Sequence, residues 1–212
     1  MTMLMGTWRS LFVSNTVRQK SIPIQNPDDD GDYNGGFDNA DNEVVLGNDG
    51  NAKKGFFYFD NTGIPQGATI LEAYITVTSS ANANDVTVNL TLVAADEDNP
   101  AVPNNAGDAD GRPRTDIEVD WSNVEPWTAN TEYQSPSLVP VIRELVERPG
   151  FAEDAVLIFA EDNGSTVNAH RKVKSYNGTP AQAAELYVRW TMAPGAFSFL
   201  LLETGDYLLL EN

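Results

Sequence analysis

The segment from Lys54 to Ser79 reads KGFFYFDNTGIPQGATILEAYITVTS and predicts the architecture of the chain. It opens with the aromatic run 56–59, a short apolar segment typical of a strand buried on both faces. Pro65 and Gly67 then mark a turn. Beyond the turn, apolar and polar residues alternate with a period of two, which predicts a strand with one face on the core. The predicted core residues of this strand are Leu71, Ala73, Ile75 and Val77.

The same rhythm recurs along the chain and predicts an antiparallel β protein. One segment has the spacing of an amphipathic helix instead: Ser135 to Arg148, with Ser135 or Ser137 as its cap and Pro140 in its first turn. The sequence therefore predicts an all-β fold, an antiparallel β-sandwich with one short α-helix. Further predicted strands lie at 43–47, 86–92, 117–121, 155–160 and 184–190.

Three regions follow from the changes in composition along the chain. We expect an N-terminal arm at 1–20, the sandwich at 21–192 and a C-terminal apolar hairpin at 193–212. The arm has two interpretations, an edge strand of the sandwich or a segment that docks on a neighbouring acidic subunit. Under the second, Trp8 and Phe12 are interface residues.

The composition excludes several classes of function. The chain of 212 residues has 13 Lys and Arg against 31 Asp and Glu, a formal net charge of -18. Such a surface repels phosphate backbones, so we expect no nucleic-acid partner. There is no Cys, and no run approaches the roughly 20 apolar residues of a membrane helix, so we expect no disulfide and no membrane partner. Residues 1–8 lack the features of a signal peptide, which predicts synthesis without export.

An acidic segment at 26–43 is the candidate metal site. It reads NPDDDGDYNGGFDNADNE and places oxygen ligands at alternate positions before a Gly, as in the first half of a calcium loop. Phe37 stands where a calcium loop of this type has its closing Glu, so an EF-hand is not expected. A looser calcium site and a solvated acidic loop both remain as interpretations. The candidate ligands are Asp28, Asp30 and Asp32.

A polar segment at 94–115 has no periodicity, and loops of this length are usually functional or mobile. Its carboxylates, Asp96, Asp98, Asp108 and Asp110, either hold a cation or serve solvation. The tryptophans are interpreted as core anchors, with stacking platforms for sugars as the alternative.

We expect no catalytic residue. The chain has one His, His170, no Cys and no G-x-S-x-G elbow, which leaves few routes to nucleophilic catalysis or zinc binding.

The last residues read FSFLLLETGDYLLLEN, two apolar runs around a turn, which predicts a β-hairpin. Because the leucines are consecutive, both faces are apolar, and an isolated ribbon is marginal in water. We expect burial against another subunit, with folding back over the same sandwich as the alternative. The candidate interface residues are Phe197, Phe199, Leu200, Leu201, Leu202, Tyr207, Leu208, Leu209 and Leu210.

Several segments resemble jelly-roll modules related to DNRLRE-type domains, found in secreted bacterial proteins and in structural proteins of tailed bacteriophages. The resemblance covers about residues 20–192, and the C-terminal LLLETGDYLLLEN is similar to short Leu-rich tails of phage virion proteins. The matching segments are IPIQNPDDDGD at 22–32, FDNTGIPQGATILEAYI at 59–75, GRPRT at 111–115, SPSLVPVIRELVERPGF at 135–151 and NAHRKVKSYNGTPAQAAELYVRW at 168–190.

This resemblance implies a jelly roll. Together with the missing signal peptide, the apolar tail and the acidic surface, the resemblance of the tail favours a virion structural protein of a tailed phage, in particular a decoration protein on the outer head surface. The implied partners are the major capsid protein and further copies of the chain, with a trimer as the expected oligomer. Because relatives of the module also bind glycans, a carbohydrate-binding module or host-surface adhesin, with calcium as its cofactor, is the alternative.

Overall fold

The computed structural model describes residues 16–34, 36–83 and 87–192, together with the backbone of two short strands near the C-terminus. The strands of the first half are Val17–Pro23 (β1), Asp30–Tyr33 (β2), Phe37–Asp38 (β3), Glu43–Gly47 (β4), Lys54–Phe59 (β5), Thr69–Thr78 (β6) and Leu90–Ala94 (β7). Those of the second half are Val119–Trp121 (β8), Glu132–Gln134 (β9), Val156–Asp162 (β10), His170–Lys174 (β11), Glu185–Thr191 (β12), Phe199–Leu201 (β13) and Tyr207–Leu209 (β14). Two α-helices, Ala106–Gly111 (α1) and Val139–Glu147 (α2), and a 3-10 turn at Pro180–Gln182 complete the elements.

The strands form two antiparallel sheets that face each other. Sheet one has the order β1-β12-β6-β9, and sheet two has the order β3-β2-β5-β10-β7-β8. Strands β4 and β11 pair separately, and an isolated bridge between Ser79 and Val173 links them to the end of β6. This confirms the predicted antiparallel β-sandwich.

The pairing pattern is that of a jelly roll. Taken in chain order, the eight main strands are β1, β5, β6, β7, β8, β9, β10 and β12. The first pairs with the last, the second with the seventh, the third with the sixth and the fourth with the fifth. These nested pairs describe one long hairpin rolled into two sheets, the eight-stranded jelly-roll arrangement.

The core lies between the two sheets and is closed by α2. Strand β5 shows the alternation: Phe57 and Phe59 face this core, whereas Phe56 belongs to a second apolar cluster on the other side of sheet two. The aromatic run is therefore buried on both faces of the sheet, as predicted, with Tyr58 half-buried. In α2, Pro140 lies in the first turn, and the apolar stripe is buried. The cap prediction was wrong, because residue Leu138 occupies that position, and Ser135 Oγ instead accepts the backbone N–H of Ile75 at 3.0 Å.

Strand β6 departs from its predicted pattern at one residue. Ala73, Ile75 and Val77 are buried, but Leu71 is 41% exposed. Arg189 pairs with Glu72 and Trp190 with Ile70, so Leu71 is an extra residue that has no partner in β12. Such a bulge reverses the alternation beyond it, and Ile70 takes the core position in place of Leu71.

Two predicted strands have other bounds. The 86–92 segment becomes β7 at Leu90–Ala94, and the 117–121 segment becomes β8 at Val119–Trp121, with Ile117 43% exposed. The turn before β6 is as predicted: Ala68 N–H donates to the Pro65 carbonyl at 3.1 Å, and Gly67 has a φ of 69°, a left-handed value that favours glycine.

The boundary predicted at residue 20 falls inside β1, which begins at Val17 and forms the edge of sheet one. Val17 lies opposite Thr191, so the start of β1 and the end of β12 lie side by side in sheet one. No helix in the part of the chain that the structure describes is long and apolar enough to cross a membrane.

Candidate functional site

The three predicted calcium ligands point to three different partners. Asp28 is exposed, and its Oδ1 accepts from the Asn39 side-chain amide at 2.9 Å. Asp30 accepts the backbone N–H of Tyr176 at 2.9 Å. The structure thus does not bring these carboxylates together around one point.

Asp32 is held by a backbone group and a charge. Its Oδ2 accepts the Val45 N–H at 2.8 Å, and its Oδ1 lies 2.9 Å from Lys53 Nζ. Burial raises the pKa of Asp32, an effect that the Lys53 bond partly offsets. In residues 16–34, 36–83 and 87–192, no group of three or more His, Asp and Glu side chains could hold a metal ion.

Asp30 is fully buried, at 0% exposure. Burial raises its pKa to about 7, and the neighbouring Asp29 charge adds to the rise, whereas the Tyr176 N–H opposes it. A carboxyl with such a pKa is partly protonated at neutral pH. Its place in the fold identifies it as a structural link between β2 and the turn after β11.

The acidic loop is fastened to that turn by several further hydrogen bonds. The Asn177 side-chain amide donates to the carbonyls of Pro27 at 2.9 Å and Asn39 at 2.8 Å. The Ser175 hydroxyl donates to the Asp41 carbonyl at 2.5 Å. A Cβ at Gly178 would lie 2.3 Å from the Asn42 carbonyl oxygen, so only glycine fits there. The loop is a connector between distant parts of the chain.

Asp29, which the sequence did not single out, orders the start of the loop. Its Oδ2 accepts the Asn26 backbone N–H at 2.8 Å and the Asn26 side-chain amide at 3.0 Å. The interpretation as a solvated loop is wrong for Asp29, Asp30 and Asp32, which are at most 3% exposed. The Asn-Pro-Asp spacing was the available signal, because Asp side chains commonly bond to nearby backbone in turns.

An open cleft of about 610 Å³ lies beside the loop. Asp28 and Asp29 line it on one side and Val102 and Pro103 on the other. Of the three predicted ligands only Asp28 lines this cleft, which is open to solvent rather than closed around an ion.

The polar segment 94–115 is a cover for the outer face of sheet two. It contains α1, a short helix absent from the prediction, whose cap Asn105 accepts the Asp108 N–H at 2.9 Å. Beneath it lies the second apolar cluster, formed by Tyr33, Phe56, Val93, Ala95, Ala109, Leu157 and Phe159. This side of sheet two is the covered face.

Arg114 fastens the cover. Its guanidinium carbon lies 3.6 Å from the centre of the Phe159 ring, and its Nη2 lies 3.0 Å from Glu161 Oε1. The same nitrogen donates to the Tyr33 hydroxyl at 3.0 Å and to the Ala109 carbonyl at 3.1 Å. One side chain thus joins the segment, the helix and the sheet.

The four aspartates of this segment are paired with basic side chains. Asp96 and Asp98 both bind Arg148 at the end of α2, Asp98 at 2.8 Å. Asp108 lies 3.2 Å from Arg112 and Asp110 2.5 Å from Lys54. Ion pairing accounts for these residues better than either solvation or cation binding.

The tryptophans in the described ranges are core anchors, as predicted. Trp121, Trp127 and Trp190 are 7%, 1% and 4% exposed. Trp127 stacks on Tyr133 with ring centres 4.8 Å apart. Trp8 lies outside the described residues.

The outer face of sheet one carries polar residues and one aromatic pair. Tyr74 and Tyr187 are cross-strand neighbours whose rings stack with centres 4.9 Å apart. Arg189 Nε donates to Glu72 at 3.0 Å beside them. This outer side of sheet one is the polar face. It consists of half-buried or exposed residues: Gln19, Glu72, Tyr74, Thr76, Gln134, Glu185, Tyr187 and Arg189.

His170 is half-buried, and its Nδ1 lies 3.2 Å from the Asn168 carbonyl oxygen. The adjacent Arg171 is fully buried and donates to the Val124 and Glu125 carbonyls at 2.6 and 2.9 Å. These contacts give the His170 segment a structural role in holding the 124–125 loop.

The C-terminal hairpin is present in the backbone. Strands β13 and β14 are antiparallel, with Phe199 opposite Leu209, Leu200 opposite Leu208 and Leu201 opposite Tyr207. They form a two-stranded sheet separate from the sheets of the sandwich. Because successive residues of a strand alternate between faces, this register assigns apolar residues to both faces of the ribbon.

The remaining candidate interface residues, Phe12, Phe197, Leu202 and Leu210, lie outside the described residues. No protein-family model matches the sequence, and no match is found among curated proteins.

Proposed function

We propose that this chain is a non-enzymatic structural protein that works as part of an assembly, as a decoration protein on the outer head surface of a tailed-phage virion. The observation that carries the proposal is the C-terminal ribbon, whose strands pair with each other and whose register gives apolar residues to both faces. A ribbon of two strands is marginal by itself in water, and a second subunit would supply the missing contacts.

Two further observations support an assembly role. The start of β1 and the end of β12 lie side by side at the pair Val17 and Thr191, so both terminal segments are attached at one place on the sandwich. The net charge of -18 suits a protein on the outside of a shell and disfavours contact with packaged DNA. The virion setting itself comes from the resemblance of the sandwich and the tail to phage structural proteins.

Deletion of residues 193–212 tests the proposal. The full chain should form an oligomer, for which we propose a trimer, and should cosediment with phage shells. The truncated chain should remain a folded monomer that stays in the supernatant. If the truncated chain assembles and binds shells as the full chain does, the proposal is wrong. The control is Val167→Thr, which changes an exposed apolar residue outside both sheets and should leave both properties unchanged.

A second candidate function is glycan binding, which the polar face favours. The stacked pair Tyr74 and Tyr187 is flanked by Gln19, Gln134 and Arg189, the aromatic and planar polar side chains that suit a sugar ring. A glycan array distinguishes the two functions: binding that is lost in the double variant Tyr74→Ala, Tyr187→Ala supports this second function. Loss of binding with a chelator would identify calcium as its cofactor.

A further inference from the structure

Among the described residues, strand β1 is the longest edge strand of the sandwich, and it pairs with β12 on one side only. It has seven residues, whereas the other edge strands, β9, β8 and β3, have three, three and two. Its first five residues are exposed, and its register with β12 is regular. An edge of this length offers a row of backbone donors and acceptors to an incoming strand.

The outward groups of this edge can be assigned. The Ile24 N–H donates to the Ala184 carbonyl at 3.0 Å, just beyond the last pair of the ladder. Bonded positions alternate in an antiparallel ladder, so Ile22, Lys20 and Arg18 bond to β12. The residues whose N–H and C=O groups face away from the sheet are Val17, Gln19 and Ser21.

The charges on the edge select its partner. Arg18 and Lys20 are exposed on a chain that has an excess of acids. Two copies of β1 paired antiparallel about Gln19 would place Arg18 opposite Lys20 twice, and like charges directly opposite destabilise a pair. An apolar strand flanked by acids avoids this repulsion and gains attraction instead. Strand β14 is such a strand, because Asp206 and Glu211 flank its region.

We propose that β14 of one copy adds to the free edge of β1 in a second copy and extends sheet one across the subunit boundary. The inference rests on the proposed function and deepens it, since it names the surface that receives the C-terminal ribbon. The contact is heterologous, because an edge at one place on the molecule receives a strand from another. Such contacts close into rings when the rotation between copies allows it.

Gln19→Pro removes the central outward N–H while the bonds of Arg18, Lys20 and Ile22 to β12 stay in place. Gln19→Thr is the matched control, because it loses the same contact with the Tyr187 hydroxyl but keeps the N–H. In sedimentation at several concentrations, the association constant of the Pro variant should be lower by about tenfold or more, because the variant loses a hydrogen bond and its ring blocks the incoming strand. The Thr variant should match the unmodified chain.

Arg18→Glu tests the charge selection without any change in the backbone. It should weaken association, and Asp206→Lys in the same chain should restore part of the loss. If Gln19→Pro and Arg18→Glu both assemble like the unmodified chain while deletion of 193–212 gives a monomer, the β1 edge is not the docking surface and the proposed function stands. If the deletion itself leaves assembly unchanged, the proposed function fails and this inference fails with it.

Discussion

The two outer faces of the sandwich are built from the same kind of antiparallel strand and are used differently. On the covered face, Phe56, Leu157 and Phe159 are almost completely buried beneath the 94–115 segment. On the polar face, Tyr74 and Tyr187 remain half-buried and are surrounded by charged and amide side chains. The 94–115 segment thus completes the fold on one side, whereas the described residues of the polar face stay partly exposed to solvent.

The covered face is expected to contribute to stability, and the polar face and its edges to contacts with other molecules. A covered face is expected to contribute stability in proportion to its buried apolar area, whereas a polar face contributes little. The edge strand β1 belongs to sheet one, whose outer side is the polar face. The two ends of the sandwich at which the terminal segments are attached, Val17 and Thr191, belong to the same sheet. Contacts with other molecules are therefore expected around sheet one.

The largest effect is expected from Phe159→Ala on the covered face. The side chain is fully buried, under Arg114 and beside Tyr33, so its removal should lower the free energy of unfolding by about 3–5 kcal/mol. Urea denaturation followed by tryptophan fluorescence measures the change. A loss below about 1 kcal/mol would mean that the cover does not pack as described.

A smaller effect is expected from Arg114→Ala, which removes the bonds to Tyr33, Ala109 and Glu161 while leaving the apolar cluster intact. We expect a total loss of about 2 kcal/mol, roughly that of one hydrogen bond to a charged group, because Arg114 and Glu161 are partly exposed and water replaces part of these interactions. Compared with the unmodified chain, the variant should show faster amide hydrogen exchange in residues 105–115, with exchange in β6 little changed. Equal acceleration in both regions would contradict a local fastening role.

The sequence predicted those features whose pattern lies within a single strand or helix, and it did not predict features that depend on contacts between distant segments. The alternation of β6 and the apolar stripe of α2 were readable because each pattern lies within one element. The bulge at Leu71 depends on the register with β12, and α1 has only six residues, too few for a helical period. The site was less predictable still, because Asp30 meets Tyr176 at a separation of 146 residues.

The acidic loop should make the free energy of unfolding depend on pH, through the buried carboxyl of Asp30. Because burial raises the pKa of Asp30 to about 7 from 3.8, the folded protein binds a proton that the unfolded chain has released in this window. The free energy of unfolding should therefore fall as pH rises from about 4 to 7, by more than about 1 kcal/mol. Asp30→Asn should flatten this dependence, because its amide oxygen still accepts the Tyr176 N–H. An unchanged slope in the variant would show that Asp30 is not the group responsible.

The smallest effect is expected from Tyr74→Ala on the polar face. The residue is half-buried and contributes one stacking contact with Tyr187, so the free energy of unfolding should fall by about 1 kcal/mol or less. Thermal unfolding, compared with the Phe159→Ala variant, measures the difference between the faces. Equal losses in the two variants would remove the distinction between a covered and an open side.

The most direct measurement is the mass of the full chain in solution, by sedimentation equilibrium over a range of concentrations. We predict a species of several times 23.1 kDa, three times that mass for the proposed trimer, and a monomer when residues 193–212 are removed. A single species of 23.1 kDa at every concentration, with or without the C-terminal ribbon, would contradict this prediction.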